Sequence, residues 1–251
     1  MTIAYFDCFS GIAGDMILGA LIDLGVDIKV LKKELKKLPL TGYDLEVEQV
    51  QCNHITAKDV TVTVTTNQHH RSLSEIKDIL KRSTLEPQVK ALSQTIFHNL
   101  GKAEAKIHDV DIEEVHFHEV GAVDSIVDIV GSVISLSLLG VHTCICSPLP
   151  LGHGFVSCEH GLLPLPAPAT VELLKGIPVY TVERNQETVT PTGAAIIKTL
   201  ANQFGEMPPM KIRKIGYGSG KIKSNYPNVL RVFLGDLETV SRKKNTQTKK
   251  R

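Results

Sequence analysis

The 251-residue chain has only five cysteines, Cys8, Cys52, Cys144, Cys146 and Cys158, and no CxxC pair among them. That scatter excludes a disulfide-framed secreted module and a paired-thiolate zinc ribbon, and it points to the reducing cytoplasm. The opening "MTIAYFDCFSGIAGDM" lacks a basic n-region and carries Asp7 early, which argues against a secretory signal. The longest uncharged run, Ile129 to Cys158, is broken by Pro148, Pro150 and glycines. It reads as a buried helix followed by a strand and loop, so no membrane partner is expected. There is no GxSxG, HExxH, EF-hand loop or Walker lysine. Nucleophilic hydrolase chemistry and a P-loop nucleotide hydrolase are therefore not signalled. Basic charge is scarce outside the end of the chain. Six of the 28 Lys/Arg lie in "SRKKNTQTKKR", leaving 22 basic against 27 acidic residues in the rest. An acidic body with a short, disordered basic tail over 241–251 does not suit nucleic acid, which needs Lys and Arg gathered on one face.

What is present is an ordinary apolar fraction, 42%, with 22% charged residues. These values suit a globular chain with a real core. "TIAYFDCFSGIAGDMILGALIDLG" predicts a strand, a glycine turn and an amphipathic helix ending at Gly25. "YDLEVEQVQ" and "ITAKDVTVTVTT" alternate with period 2 and predict an antiparallel strand pair. Ser72 and Glu75 form a capping-box signature, and Pro87 opens a long helix. "VHTCICS", "PVYTVE", "KIRKIGYGSG" and "NVLRVFLGD" predict strands. "PLPLGHGFVSCEHGLLPLPAPAT" predicts a loop, "PAPATVELLKG" a short helix, and "TPTGAAIIKTLANQFG" a turn into a helix. The expected fold is mixed α/β (α+β), with strand-turn-helix units and one antiparallel strand pair. It spans 1–240, with a soft boundary near Asn67–Ser72.

Three constellations could carry chemistry. In "VHFHEVGAVDSIVDIVGSVISLSLLG", a helical count places Asp124, Asp128, Gly131, Ser132 and Ser135 on one seam about 100° wide, with apolar residues elsewhere. Small residues on that seam admit a close neighbour. If "EVHFHE" is extended, His116 and His118 share a face. Together with Glu119, Asp124 and Asp128 they form a candidate metal set of imidazole and carboxylate donors. The bland alternative is acidic residues near a helix start beside ordinary histidines. The second constellation is "DCFSGIAGD", where Asp7, Ser10, Gly11, Gly14 and Asp15 surround a strand-to-helix turn that could hold a phosphate, a cation or a polar ligand. Thr190, Thr192 and Gly193 of "TPTGAA" repeat that device. The third is the Pro/Gly-framed loop carrying His153 and His160, with Cys158 nearby.

The segments "YFDCFSGIAGDM", "VHFHEVGAVDSIVDIVG", "SPLPLGHGFV", "HGLLPLPAPATVELLKGIPV", "TPTGAAI" and "IGYGSG…PNVLRVFLG" run in order from residue 5 to about 235. Together they resemble the LarC family, the nickel-insertion proteins of the lactate racemase system. The resemblance implies a nickel chelatase of the lyase class. Such a protein inserts nickel, its substrate metal, into pyridinium bis-thiocarboxylic acid mononucleotide to make the nickel-pincer nucleotide cofactor, with CTP and Mn or Mg. It implies lactate racemase apoprotein, or another nickel-pincer enzyme, as the recipient. The family usually continues into a C-terminal domain to which CTP and its metal are assigned, and here the chain stops after "FLGDLETV" and the basic tail. The expectation is that a separate C-terminal half is needed. The alternative is a non-catalytic nickel-binding or assembly module that docks such a half. Many relatives carry a long histidine run where this chain has only His69 and His70.

Overall fold

A computed structural model describes residues 1–65, 71–117, 123–158 and 161–238. The chain begins with β1 (Thr2–Asp7), α1 (Gly14–Asp23) and α2 (Ile28–Leu35), followed by β2 (Tyr43–Cys52) and β3 (Ile55–Val64). Two helices come next, α3 (Leu73–Arg82) and α4 (Pro87–His108), then a 3-10 turn at Ile112–Glu114, and later in the chain α5 (Val123–Leu138), which leads to β4 (Thr143–Cys146). The Pro/Gly-rich segment forms β5 (Leu149–Leu151), β6 (Phe155–Cys158), β7 (Gly161–Pro164), α6 (Pro168–Leu173) and β8 (Val179–Thr181). The last elements are α7 (Pro191–Leu200), β9 (Ala201–Phe204), β10 (Met210–Ser219) and β11 (Val229–Leu237).

Among the described residues, seven strands form one mixed sheet in the order β2-β3-β10-β11-β1-β4-β9. The expected antiparallel pair is β2 with β3, in register from Tyr43 opposite Val64 to Cys52 opposite Ile55. β1 lies antiparallel to β11 and parallel to β4. β3 and β10, which precede and follow residues 67–72 in sequence, meet at Lys58 and Gly218. The mixed α/β class expected from the sequence is therefore observed. Two local expectations fail. The segment read as a loop contains the antiparallel pair β6–β7 and the strand β5, which pairs with β8. The helix read through "KTLANQFG" stops at Leu200, and β9 starts at once beside β4.

Period-2 alternation decides which face of the sheet carries the core. Ala4, Phe6, Val232 and Leu234 belong to the large core with the helices, whereas Ile3, Tyr5, Ile145 and Phe233 form a smaller cluster from the alternate positions. α1 lies directly on β10. A Cβ on Gly218 would stand 1.9 Å from the Met16 carbonyl oxygen, and one on Gly216 would stand 2.2 Å from that of Ala20. The alternating glycines of "IGYGSG" thus form a flat track for a helix, and that contact sets where the first turn of α1 emerges.

Candidate functional site

The first turn of α1 opens into a cleft of about 360 Å³. α1 contributes Gly14 and Asp15, α5 contributes Asp124 and Asp128, α7 contributes Thr192 after its cap Thr190, and Lys221 closes one side. The seam of α5 explains the convergence. Gly131 packs on Leu18, and the Cβ position of Gly14 is only 2.6 Å from Asp128 Oδ2 and 2.9 Å from Thr192 Cγ2. The close neighbour that the seam admits is α1. Any side chain at position 14 would push Asp128 and Thr192 away from the helix start. Gly193 repeats the device on α7, where a Cβ would meet the Ile12 carbonyl oxygen at 2.5 Å. Thr190 caps α7 by accepting from the Gly193 amide at 3.1 Å. α1 has no side-chain cap from Ala13, and the Met16 amide instead donates to Asp15 Oδ1 at 2.8 Å.

The floor of the cleft is electrostatically loaded. Burial pushes the Asp15 carboxyl up to about 6, against the Met16 amide and the Lys221 ammonium. Burial, and then the charges of Asp15 and Asp124, raise Asp128 well above the ordinary carboxylate range, with Lys221 opposing. Lys221 is held back from both, because its Nζ donates to Asp59 Oδ2 and Thr61 Oγ1, each at 2.8 Å. Burial thus disfavours the charged form of both carboxyls, and a divalent cation bound there would favour it. Among the described residues, no three His, Cys, Asp or Glu side chains lie close enough together to hold a metal ion. The floor therefore offers a partial set of oxygen donors.

The remaining candidates lie elsewhere. Asp7, at the end of β1, accepts from Arg231 Nε at 2.9 Å and from its Nη2, and it does not line the cleft. Ser10 is buried and accepts from Arg184 Nη1 at 2.8 Å, while Gly11, with φ +120°, makes the turn between them and α1. His116 is exposed, bridges Ser72 in an isolated strand contact and does not line the cleft. His153 is exposed, with Nε2 3.6 Å from Glu183 Oε2. His118, Glu119, His160, His69, His70 and the 241–251 tail lie outside the described residues. Sequence reasoning missed Lys221, Arg184 and Arg231. The only signal for Lys221 was its position just past the glycine track of β10.

The nickel insertion protein family model matches residues 4–251. The chain belongs to that family. It is 51% identical over 247 residues to the pyridinium-3,5-bisthiocarboxylic acid mononucleotide nickel insertion protein of Acetivibrio thermocellus, covering 94% of this chain and 61% of the relative. It is 50% identical over 237 residues to the protein of the same name from Desulfitobacterium hafniense, covering 94% of this chain and 59% of the relative. Against the Staphylococcus epidermidis protein of that name, the identity is 48% over 234 residues, covering 93% and 59%. The chain thus spans about three fifths of the length of these curated relatives. No solved structure matches. Among the described residues, no helix is long and apolar enough to cross a membrane.

Proposed function

We propose that this chain is the nickel-handling part of a chelatase that inserts nickel into pyridinium-3,5-bisthiocarboxylic acid mononucleotide. The observation that carries the reading is the convergence of Asp15 and Asp128 at the uncapped start of α1, within a family whose members are named for nickel insertion. Asp15 and Asp128 serve as oxygen donors to nickel, and Asp124 stands at the exposed rim. His116, His118 and Glu119, just upstream of α5 in sequence, supply imidazole and carboxylate donors as the metal arrives. Oxygen and imidazole hold nickel firmly enough to collect it and yield it to softer thiocarboxylate sulfur. As the metal leaves, Asp128 takes back a proton, because its buried position favours the neutral acid. Thr190, Thr192 and the α7 start are the hydroxyl-bearing wall opposite.

The cleft does not suit CTP. It presents Asp15, Asp124 and Asp128 to a polyanion, and among the described residues that line it Lys221 is the one cation. CTP and its Mn or Mg belong, in this reading, to a C-terminal half like the further length of the relatives, and the product passes to lactate racemase apoprotein or another nickel-pincer enzyme. The free thiols of Cys8, Cys52, Cys144 and Cys146 support a cytoplasmic setting. The test is activation of lactate racemase apoprotein by the purified chain, with and without a C-terminal half, given ligand, nickel and CTP. Activation that is lost in the Asp15→Asn, Asp128→Asn double variant supports the reading. Activation that survives in that variant contradicts it.

A further inference from the structure

A second cavity, of about 400 Å³, lies on the far side of Lys221. One wall is the turn between β2 and β3, with Cys52 and Asn53, and the other is the segment joining β10 to β11, with Lys221, Lys223, Tyr226 and Asn228. These walls are fixed to each other and within themselves. Asn53 Nδ2 donates to the Asn225 carbonyl at 3.1 Å, and Asn228 Nδ2 donates to that of Ile222 at 2.9 Å. The Gly220 amide donates to the Asn228 carbonyl at 2.9 Å. Cys52 Sγ and Ser219 Oγ close the base at 3.2 Å.

Two features of this cavity call for a ligand of a particular kind. Tyr226 is 51% exposed, yet it is not a loose surface ring. The guanidinium of Arg184 lies 4.8 Å from its centroid and is itself anchored to Ser10 Oγ and the Ser10 carbonyl. One ring face is thus backed by a fixed cation, which leaves an aromatic platform for a second flat group. The cations divide in the same way. Lys221 is neutralised by Asp59, the acid that lines this cavity, whereas exposed Lys223 has no ion pair or hydrogen bond among the described residues. A stacking platform with a free ammonium nearby matches an aromatic ring carrying an anionic group a few bonds away.

We propose that the cavity between the β2–β3 turn and the β10–β11 segment binds an aromatic mononucleotide, its ring on Tyr226 and its phosphate at Lys223. Lys221 lines both this cavity and the acidic cleft, so a ligand held here sits next to the carboxylates of Asp15 and Asp128. The assignment deepens the nickel-insertion reading and rests on it for the ligand's role. The binding itself is tested without nickel.

The probe is nicotinate mononucleotide, which has a pyridinium ring, a carboxylate and a ribose phosphate. It is titrated calorimetrically into the full chain at fixed ionic strength with chelator present. Saturable binding is expected, weakened about tenfold or more by Tyr226→Ala and by Lys223→Ala, largely retained by Tyr226→Phe, and retained by Asp128→Asn. Both alanine changes fall on exposed side chains, and circular dichroism verifies folding. Nicotinate alone and inorganic phosphate alone are expected to bind more weakly than the mononucleotide. Absence of saturable binding, or wild-type affinity in both alanine variants, would overturn the assignment. A separate nickel titration of Asp128→Asn reports on the acidic cleft, so failure of one reading is distinguishable from failure of the other.

Discussion

Asp7 and Asp15 belong to one nine-residue stretch, and the structure gives them opposite fates. Asp7 ends β1 and is closed off by Arg231, whose guanidinium is in turn covered by Phe9 and Phe233. Asp15 opens α1 with no ion pair among the described residues, beside a second carboxyl on α5 and near a lysine committed to Asp59. The same side chain is structural where a counter-ion reaches it and available where none does. The difference arises from residues far along the chain, not from the local motif. Asp7 and Arg231 are 224 positions apart, and Asp59 and Lys221 are 162 apart.

The largest expected effect comes from turning the closed site into an open one. Arg231→Met leaves the Asp7 carboxylate, only 19% exposed, without its partner. Stability measured by denaturant unfolding is expected to fall by about 2–3 kcal/mol, and adding Asp7→Asn should recover part of it. No change would show that the pair is ornamental. Next is Gly14→Ala, whose Cβ collides with Asp128 and Thr192. It should cost about 1–3 kcal/mol and weaken nickel binding, because the helix start and Asp128 can no longer meet. Wild-type values for both would separate the cleft from its glycine.

A smaller effect carries a definite sign. The folded protein holds protons on Asp15 and Asp128 more tightly than the unfolded chain does. For Asp15 the penalty for ionisation grows as pH rises from near 4 to above 6. Asp128 is shifted in the same direction, so the nickel-free Asp128→Asn variant should be more stable than wild type above pH 7. The gap should close toward pH 4. A variant less stable at every pH would contradict the assigned protonation. The smallest effect is that of Lys221→Met. Its ion pair with Asp59 is partly exposed, so stability should change by less than about 1 kcal/mol. Without its ammonium, however, the pH midpoint of nickel binding should move upward. An unmoved midpoint would remove Lys221 from the electrostatics of the cleft.

The contrast between Asp7 and Asp15 also marks what the sequence could convey. β1, α1, the β2–β3 pair and the Ser72–Glu75 cap were legible because their signals are local: alternation, a glycine stop, and Ser72 Oγ accepting from the Glu75 amide at 3.2 Å. β9 was hidden because Leu200 passes to Ala201 without glycine or proline, and only pairing with β4 makes the segment a strand. The antiparallel β6–β7 pair was hidden by composition that otherwise marks loops. For the site, the seam of α5 was legible from helical spacing, and so was the turn at Gly14. Their meeting was not, since it depends on α1 lying on the glycine track of β10. Arg184, Arg231 and Lys221 were illegible for the same reason, each being defined by a partner from a distant segment.

The most direct measurement is a calorimetric nickel titration at pH 7 of the wild-type chain against the Asp15→Asn, Asp128→Asn double variant, with His116→Ala, His118→Ala as a second comparison and Asp7→Asn as the control. The account predicts that the double carboxylate variant loses nickel affinity by at least about tenfold, that the histidine variant loses affinity through the donors upstream of α5, and that Asp7→Asn binds as wild type does. Wild-type affinity in the Asp15, Asp128 double variant would contradict the account.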